Sequence, residues 1–528
     1  MSTSFEIRSP RHNGIQAPIR TFTLGVLSLF ALTACGSSQQ HRGAYPTTTA
    51  LPPGESTTLD RAIAPLEAAN SNASGFFMLE QGRVAFAARA HLTAEANRSI
   101  DAQTYIWHAD QTGKYLAYEL LEAADRGVRV RLLLDDLDAR NNNDPLLALD
   151  GHNNIEVRLF NPLESRHGAL GAVGDFFRSF NRLDHRMHIK NWIVDNRVAI
   201  AGGRNVGDEY FAASEETNFA DVEWLMVGNV VRDGSAEFDR FWNSNMAISI
   251  ADLNPELTKS IRLDSTRAAL AAAARQIKSS RYADDLRNDS TLKQLMARNL
   301  PVKWVADYQL VADDPLKLNA KKALEQSAVL SALLPRLQNA KRELTIASPY
   351  FVPGKAGTEL LLGLVQRGVT VRVLTNSLAA NDVAAVYGGY SKYREALLKG
   401  GVHLWELKPR GNAQADSSLL GSSGASLHAK ALSIDGEGVF VGSYNLDSRS
   451  TSLNAEMGVY VHNPELASQF DSLFELGTAG ASSWCVTLVD GDLLWTDGKE
   501  TLDRTPRASL WRRFQAWLTH VLPVDPLL

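Results

Sequence analysis

Two segments of this chain place a histidine, a lysine and an asparagine at the same spacing. In HRMHIKNWIVDNRVAIAGGRN, residues 185–205, His188 and Lys190 precede an apolar run that ends in Gly-Gly-Arg-Asn. The spacing returns in HAKALSIDGEGVFVGSYN, residues 428–445. Two imidazoles, two ammonium groups and two side-chain amides suit the cleavage of a phosphodiester, which needs a nucleophile, a proton donor and stabilisers of negative charge.

Five positions of the two segments correspond. They are His188 and His428, Lys190 and Lys430, Asp195 and Asp435, Gly202 and Gly442, and Asn205 and Asn445. One histidine would attack phosphorus and the other would protonate the leaving alcohol. The charged oxygens would be stabilised by Lys190, Lys430, Asn205, Asn445 and Ser443.

Four carboxylates complete the set of candidate catalytic residues. Asp195 and Asp435 belong to the repeated pattern, although an aspartate in a turn needs no chemistry to be there. Asp221 in FADVEW and Glu456 in LNAEMG follow the two segments at similar distances. A histidine that acts as base or nucleophile needs a partner that fixes its tautomer, and these two acids are candidates. Which acid orients which histidine stays open.

The pattern predicts a site without metal or cofactor. A two-metal phosphodiesterase needs a cluster of carboxylates, which this sequence does not display, and His-x-Lys is not a metal-ligand spacing.

The elements around the first segment predict a hairpin. His188 and Lys190 alternate with apolar residues, so both side chains project from one face of a strand. Asp195-Asn196 and Asp435-Gly436 occupy the turns, and the returning strand brings the asparagine back beside the histidine. Helical and apolar strand-like stretches alternate upstream, as in KYLAYELLEAADRG and VRVRLLLDD, which is typical of an α/β fold.

The second half of the chain repeats the first. AADRGVRVRLLL (123–134) returns as LVQRGVTVRVLT (364–375), NIEVRLFNP (154–162) as GVHLWELKP (401–409), and FDRFW (238–242) as FDSLF (470–474). A duplication predicts two similar domains that each contribute one histidine.

Composition and length exclude some classes of protein. The 528 residues exceed one compact core, and 45% hydrophobic with 21% charged residues is ordinary for a globular protein. The formal charge of −5 shows no excess of basic residues, so we expect no nucleic-acid partner.

The N-terminus predicts a lipoprotein signal. Arginines precede the apolar run FTLGVLSLFALTA, which is shorter than a membrane span and is followed by Cys35. Leu32-Thr33-Ala34-Cys35 matches a bacterial lipobox, in which the cysteine receives a diacylglycerol. We therefore expect a lipid anchor at Cys35 on the periplasmic side of the cell envelope, and Gly36 favours the outer membrane slightly over the inner. The sequence identifies no accessory protein.

The expected domain organisation has six parts: signal peptide 1–34, polar linker 35–74, first domain 75–250, connector 251–325, second domain 326–480 and C-terminal extension 481–528. The connector contains a helix-like STRAALAAAARQIKS and a strand-like VKWVADYQLV. In the extension, Trp511, Phe514, Trp517 and Leu518 recur at helical spacing, a stripe more typical of core packing than of membrane contact.

The two His-x-Lys-x₄-Asp-x₆-Gly-x-x-Asn segments resemble the HKD motifs of the phospholipase D superfamily over about residues 75–480. The chain is most similar to bacterial cardiolipin synthases of the C type, through QTYIWHADQTGKYLAYELLEAADRGVRVRLLLDD, GGRNVGDEYF and the ending LPVDPLL. The resemblance implies two tandem α/β sandwich domains related by a pseudo-twofold axis, with the active site at their interface.

The resemblance also implies a phosphatidyl-histidine intermediate, formed on His188 with His428 as the acid. Many members have serine where this chain has Gly203, and a backbone N–H there would replace the hydroxyl. The implied function is a membrane-anchored phosphatidyltransferase that makes cardiolipin, with phosphatidylglycerol as acceptor and phosphatidylglycerol or phosphatidylethanolamine as donor. Alternatives are a hydrolase that releases phosphatidic acid, a nuclease, and a non-catalytic envelope lipoprotein.

Overall fold

In the computed structural model, residues 45–139, 143–162, 186–296, 301–319, 327–409 and 425–521 are described. The part from Pro46 onward forms one compact unit. The predicted signal peptide and lipidation site at Cys35 lie outside the described residues.

The first half and the connector contribute ten strands and eleven helices to this described part. The strands are β1 Ser74–Leu79, β2 Ser99–Thr104, β3 Arg129–Asp135, β4 Ile155–Phe160, β5 Asn191–Val194, β6 Val198–Gly202, β7 Asn218–Ala220, β8 Glu223–Gly228, β9 Ala247–Ser249 and β10 Lys303–Val305. The helices are α1 Thr58–Ala69, α2 Gly82–Glu95, α3 Gln111–Asp125, α4 Asp136–Ala139, α5 Asn143–Asp150, α6 Asn229–Trp242, α7 Ile250–Leu253, α8 Pro255–Thr258, α9 Leu263–Lys278, α10 Arg281–Asn288 and α11 Ser290–Met296.

The second half of the described chain adds eleven strands, six helices and a 3₁₀ turn at Pro315–Asn319. The strands are β11 Tyr308–Ala312, β12 Glu343–Ala347, β13 Thr370–Asn376, β14 His403–Leu407, β15 Ala425–Leu427, β16 Ala431–Ile434, β17 Gly438–Gly442, β18 Met457–Val461, β19 Ser483–Val489, β20 Asp492–Thr496 and β21 Thr501–Leu502. The helices are α12 Ala328–Gln338, α13 Gly354–Gln366, α14 Ala384–Lys399, α15 Ser448–Ser452, α16 Pro464–Thr478 and α17 Leu510–Val521.

Two large mixed sheets share one topology. The first has the order β10-β1-β8-β6-β5-β2-β3-β4-β9, and the second has the order β11-β18-β17-β16-β12-β13-β14-β19-β20-β21. From β1 to β9 and from β11 to β19, each strand has a counterpart of the same rank. This correspondence confirms the predicted α/β fold with two similar domains.

The hairpins that follow the histidines form as expected. Strands β5 and β6 pair from Asn191↔Ala201 to Val194↔Val198, and β16 and β17 pair in the same way. Asp195 and Asn196 have φ of 52° and 53°, and Asp435 and Gly436 have φ of 57° and 63°. Two successive residues with positive φ are typical of the tight turns that match strand twist, which is why Asp, Asn and Gly stand there.

A hydrophobic core joins the two halves. It contains buried residues of the first hairpin, such as Ile193, and of the second, such as Val441, together with aromatic residues of α6 and α16. Two further clusters lie on the outer sides of the sheets. The histidine-bearing hairpins therefore face each other across a shared apolar interior.

Helices and strands also form in the segments expected to be the linker, the connector and the C-terminal extension. The polar linker expected over 35–74 contains helix α1, whose Asp60 caps its own helix and pairs with Arg197 at 2.8 Å. In the connector, β10 joins the first sheet and β11 the second. The C-terminal extension adds β19, β20 and β21 to the second sheet, so that sheet continues beyond residue 480.

Candidate active site

Both His-x-Lys pairs lie in extended segments immediately before β5 and β16, and each segment pairs with the other half. The His188 N–H donates to the Ala455 carbonyl at 2.9 Å, and the His428 N–H donates to the Ala220 carbonyl at 2.8 Å. Strand β7, which ends at Ala220, runs parallel to β15, which precedes His428. Each histidine is thus held against the residue that precedes a carboxylate of the opposite half, Asp221 or Glu456.

The carboxylate that contacts His188 comes from the second half. His188 Nδ1 lies 2.9 Å from Glu456 Oε2 and 3.2 Å from the Ser443 carbonyl oxygen. Glu456 is fully buried and also accepts hydrogen bonds from the Ser443 and Ser450 hydroxyls, at 2.5 and 3.0 Å. Ser443 therefore holds Glu456 in place.

The first half supplies the partner of His428 in return. His428 Nδ1 lies 2.7 Å from Asp221 Oδ2, which is buried. The imidazole stacks on Phe219 at 5.2 Å and meets Tyr210 edge-on at 5.1 Å. The two candidate orienting acids therefore exchange partners across the interface.

Both lysines lie close to the imidazoles. Lys190 Nζ donates to the His188 carbonyl at 2.6 Å, and Lys430 Nζ donates to the His428 carbonyl at 2.7 Å. Lys430 Nζ is also 3.3 Å from His428 Nε2. The charge of each lysine acts on the histidine of the other half, so these four side chains share one site.

The electrostatics of the site fix the tautomer of both histidines. Burial disfavours the imidazolium, and with the lysine charges it lowers the pKa of His188 to about 4 and that of His428 to about 3. Burial would raise the pKa of Asp221 and Glu456, but the hydrogen bond from each histidine and the nearby lysine charge outweigh it and lower both values. Because an ionised carboxylate only accepts, each Nδ1 carries the proton and each Nε2 presents a lone pair.

The two asparagines differ in their surroundings. Asn205 Oδ1 accepts from the Ile106 N–H at 3.2 Å, and its Nδ2 donates to the Tyr210 hydroxyl at 2.9 Å. Asn445 is buried, and its Oδ1 has no hydrogen-bond partner among the described groups. Asn205 therefore supports the wall of the site, and the amide of Asn445 is the freer of the two.

Asp195 and Asp435 do not lie with the histidines. Each occupies the far end of its hairpin, seven residues from the histidine and so on the order of 20 Å along an extended chain. Asp195 accepts from the backbone N–H groups of three residues that lead into β2: Asn97, Arg98 and Ser99. Asp435 does the same for three residues that lead into β12: Lys341, Arg342 and Glu343. The structure therefore does not bring these two carboxylates together with the histidines, because both bind backbone amides that start the neighbouring strand.

We expect Asp195→Ala to destabilise the protein without removing its chemistry. Three backbone N–H groups, one buried and two part-buried, lose their acceptor, which costs about 2–4 kcal/mol of unfolding free energy. Urea denaturation measures this loss, and turnover per folded molecule should stay within about threefold of the wild type. Asp435→Ala is the matched control and should lose less stability, because its amides are more exposed. Full stability with abolished turnover in Asp195→Ala would restore the catalytic role.

Gly203 corresponds to Ser443 of the second half and lies against Asp221. A Cβ atom at Gly203 would be 2.5 Å from Asp221 Oδ1 and 2.7 Å from Oδ2. The second half combines serine with the longer glutamate, and the first half combines glycine with aspartate. The absence of a side chain at Gly203 therefore leaves the space that the Asp221 carboxylate occupies.

We expect Gly203→Ser to lower turnover by roughly 100-fold, because the new side chain displaces Asp221 from His428. Ser443→Gly is the matched control: it removes one donor to Glu456 but leaves the carboxylate its space, so the loss should be about tenfold. Steady-state assays of both variants check this. Equal activity of Gly203→Ser and wild type would show that the glycine is not needed.

The sequence did not reveal several supporting residues. Tyr105 meets His188 edge-on at 5.0 Å, and Tyr210 does the same for His428. Both tyrosines belong to stretches that carry the family resemblance, QTYIW and GGRNVGDEYF, and this was the available signal. Asp313 accepts from the Glu456 N–H at 3.1 Å and pairs with Lys317 at 2.7 Å. No local pattern indicated that contact.

Among the described residues, one group could bring metal-ligand atoms together: His108, Asp110 and Glu209, within 4.8 Å of one another. His108 forms an ion pair with Glu209 at 3.0 Å, and this hydrogen bond raises the pKa of the imidazole to about 9. Asp110 accepts from the Gly113 and Asp208 N–H groups, at 3.0 and 2.7 Å. His108 therefore forms an ion pair with Glu209, and Asp110 caps the following helix, so each of the three side chains has a partner without a metal.

Comparison with known proteins agrees with this architecture. The family described as cardiolipin synthase, PLD-like domain, matches residues 90–242 and 333–476. Cardiolipin synthase C of Escherichia coli (strain K12) is 40% identical over 479 residues, which cover 89% of this chain and 99% of that protein. An uncharacterised protein of Helicobacter pylori (strain ATCC 700392 / 26695) is 31% identical over 86% of this chain and 89% of its own.

A solved structure shares the fold at low sequence identity. The phosphatidylserine synthase of Haemophilus influenzae Rd KW20 aligns with a TM-score of 0.56 and 13% identity, over 89% of this chain and all of that one. The matched family spans both histidine segments and both sheets. The chain therefore belongs to the family of cardiolipin synthase, PLD-like domains, and is an enzyme of the phospholipase D superfamily of phosphatidyltransferases and phosphodiesterases.

Proposed function

We propose that this enzyme is a phosphatidyltransferase that makes cardiolipin. Phosphatidylglycerol is the acceptor, and phosphatidylglycerol or phosphatidylethanolamine is the donor. The observation that carries the proposal is the pair of buried imidazoles, each hydrogen-bonded to a carboxylate of the opposite half. The 40% identity to a cardiolipin synthase supports the choice of lipid substrates.

In the first step of the proposed reaction, Nε2 of one histidine attacks the phosphorus of the donor lipid. The P–N bond forms as the P–O bond to the leaving alcohol breaks, and the second histidine gives its Nε2 proton to that alcohol. His188 as nucleophile and His428 as acid follow the family. Lys190 and Lys430, with the amide of Asn445, stabilise the negative oxygens of the transition state.

In the second step the acceptor alcohol attacks phosphorus, the second histidine acts as base and the first histidine is the leaving group. The hydroxyl of phosphatidylglycerol gives its proton to the now neutral second histidine, and its oxygen attacks phosphorus. The P–N bond breaks, so the first histidine returns to its starting state and the product diester leaves. Water in place of the acceptor would give phosphatidic acid by the same chemistry.

The charge of the bound lipid prepares the acid. In the free site both imidazoles are neutral, because burial and the lysine charges lower the pKa of each. An anionic phosphodiester between the lysines offsets their repulsion and raises the pKa of both histidines, so that one accepts a proton. The attacking histidine remains neutral, and its lone pair is available for phosphorus.

A product assay tests the proposal. The detergent-solubilised enzyme is incubated with labelled phosphatidylglycerol, with and without phosphatidylethanolamine, and the lipids are separated. We expect labelled cardiolipin in both mixtures and none from His188→Ala. Phosphatidic acid as the main product would replace the proposal with a hydrolase, and cleavage of a nucleic acid without lipid turnover would replace it with a nuclease.

We also propose that the enzyme is a periplasmic lipoprotein anchored through Cys35. The proposal is supported by the Leu-Thr-Ala-Cys sequence at the end of the apolar N-terminal run. Within the ranges that the structure describes, no helix has the length and apolar character needed to cross a bilayer.

We expect Cys35→Ser to abolish incorporation of labelled palmitate into the protein, since the thiol that receives the lipid is gone. Cys485→Ser is the control and should keep full labelling, because it changes the one other cysteine of the sequence. Unchanged labelling of Cys35→Ser would show that Cys35 is not the lipidation site.

A further inference from the structure

The C-terminal helix α17 exposes an apolar face. Its exposed residues are Leu510 (85%), Trp511 (64%), Phe514 (48%), Trp517 (57%), Leu518 (39%) and Val521 (54%). We call these six residues the aromatic face. The sequence interpretation favoured core packing for this stripe, and the exposure of its side chains shows that interpretation to be wrong.

The aromatic face is continuous. The rings of Trp511 and Phe514 stack with centroids 5.6 Å apart, and those of Phe514 and Trp517 are 6.0 Å apart. Single exposed apolar residues are ordinary, but a row of adjoining indole and phenyl rings on one helix is not. Such a contiguous face marks an interaction surface.

The opposite side of α17 is firmly attached to the second half. Ala516 is buried against α14, where a Cβ atom at Gly388 would lie 2.4 Å from the Ala516 carbonyl oxygen. The Arg512 guanidinium donates to the Leu378 carbonyl at 3.0 Å and to the Asn381 carbonyl. The body of the protein therefore holds the helix with its aromatic face directed outward.

The same attachment connects α17 to the active site. Asp382 follows Asn381 and accepts from the Tyr350 hydroxyl at 2.7 Å. Asp382 is close enough for its charge to act on the Lys430 ammonium group. One short segment therefore contacts both the exposed helix and the surroundings of the catalytic lysine.

We propose that the aromatic face is a membrane-contact surface that seats the enzyme on a phospholipid bilayer, beside the lipids that its active site uses. Tryptophan is suited to the bilayer interface because its ring is apolar and its N–H is polar. Residues 510–521 contain no acidic residue, and both of their arginines donate to backbone carbonyls, which are neutral and leave the positive charge of the helix uncancelled. Anionic headgroups complement that charge, whereas a second copy of the helix would not. The identity of the nearby substrate rests on the proposed function.

Vesicle binding tests this surface independently of turnover. All samples lack residues 1–35, so that neither the apolar signal run nor the proposed lipid anchor contributes, and they keep the compact unit that begins at Pro46. Trp511→Ser/Trp517→Ser is compared with Leu476→Ser/Val489→Ser, which removes two residues that are 50% and 48% exposed elsewhere. Co-sedimentation with vesicles of phosphatidylethanolamine and phosphatidylglycerol gives the partition coefficient, and thermal melting confirms that both variants are folded.

We expect the tryptophan variant to lose roughly tenfold or more in vesicle partitioning, and the control variant less than about twofold. The ratio of turnover on vesicles to turnover on monomeric short-chain phosphatidylglycerol should fall in parallel. If no lipid is turned over, the proposed function fails while the partition coefficient still decides the membrane surface. Equal partitioning of the two variants would overturn the inference. The inference would also be overturned if the wild type and the control variant were dimers and the tryptophan variant were a monomer, because a second copy of the chain would then occupy the aromatic face.

Discussion

His188→Ala and His428→Ala should each reduce turnover by about 10⁴-fold or more, because one imidazole cannot be both the nucleophile and the acid. Each histidine lies beside both lysines, and the other half of the protein supplies its carboxylate partner. Loss of either ring removes a bond-forming or a proton-transferring atom and leaves the other ring in place. Single-turnover assays with labelled phosphatidylglycerol measure the loss.

The two histidine variants should differ in where the reaction stops. Without the nucleophile no covalent intermediate forms, so His188→Ala should show no burst of released alcohol. Without the acid the first step is slow, but a good leaving group such as a nitrophenol needs no proton, so His428→Ala should recover part of its rate on that substrate. His403→Ala, in an exposed position on β14, is the control and should keep full activity. Near-normal turnover by either catalytic variant on natural lipid would contradict a shared site.

Asp221→Asn and Glu456→Gln should each lower turnover by roughly 10²- to 10⁴-fold, since an amide can hold the imidazole in the wrong tautomer. The structure also predicts which histidine each change affects. Asp221 lies 2.7 Å from His428, although it follows the first segment, and Glu456 lies 2.9 Å from His188. The pairing is therefore opposite to the order of the chain.

Nitrogen NMR of enzyme with ¹⁵N-labelled histidine separates this pairing from a general structural effect. Asp221→Asn should shift the ring resonances of His428 and leave those of His188 in place, and Glu456→Gln should do the reverse. The histidine variants assign the two signals. A shift of the His188 resonances in Asp221→Asn, with His428 unchanged, would mean that each acid serves its own half.

The hairpins and the duplication could be predicted because they depend on local and repeated patterns. Alternating residues before Asp195-Asn196 indicate a strand and a turn, and the two sheets have the predicted correspondence. That Asp221 and Glu456 each contact the histidine of the other half could not be predicted. The contact between Asp221 and His428 joins positions 207 residues apart in the chain, and the contact between His188 and Glu456 joins positions 268 residues apart.

Two sequence patterns can each serve more than one purpose. An aspartate at a fixed position of a repeated motif reads as catalytic, yet Asp195 and Asp435 bind backbone amides at the start of a neighbouring strand. An apolar stripe on a helix likewise predicts packing in the hydrophobic core. In α17 the small Ala516 makes the buried contact, and the large rings lie outside. Side-chain size decides which face of that helix can pack closely on α14.

The most direct test of the central claim is to trap the covalent intermediate. Enzyme mixed with radiolabelled phosphatidylglycerol is quenched within one turnover at alkaline pH, where a phosphoramidate survives, and the digested peptides are mapped. We expect a phosphatidyl group on the imidazole of His188, more of it in His428→Asn with an activated donor lipid, and none in His188→Ala. A label on a serine, or an active enzyme that never carries label on either histidine, would contradict the two-histidine site.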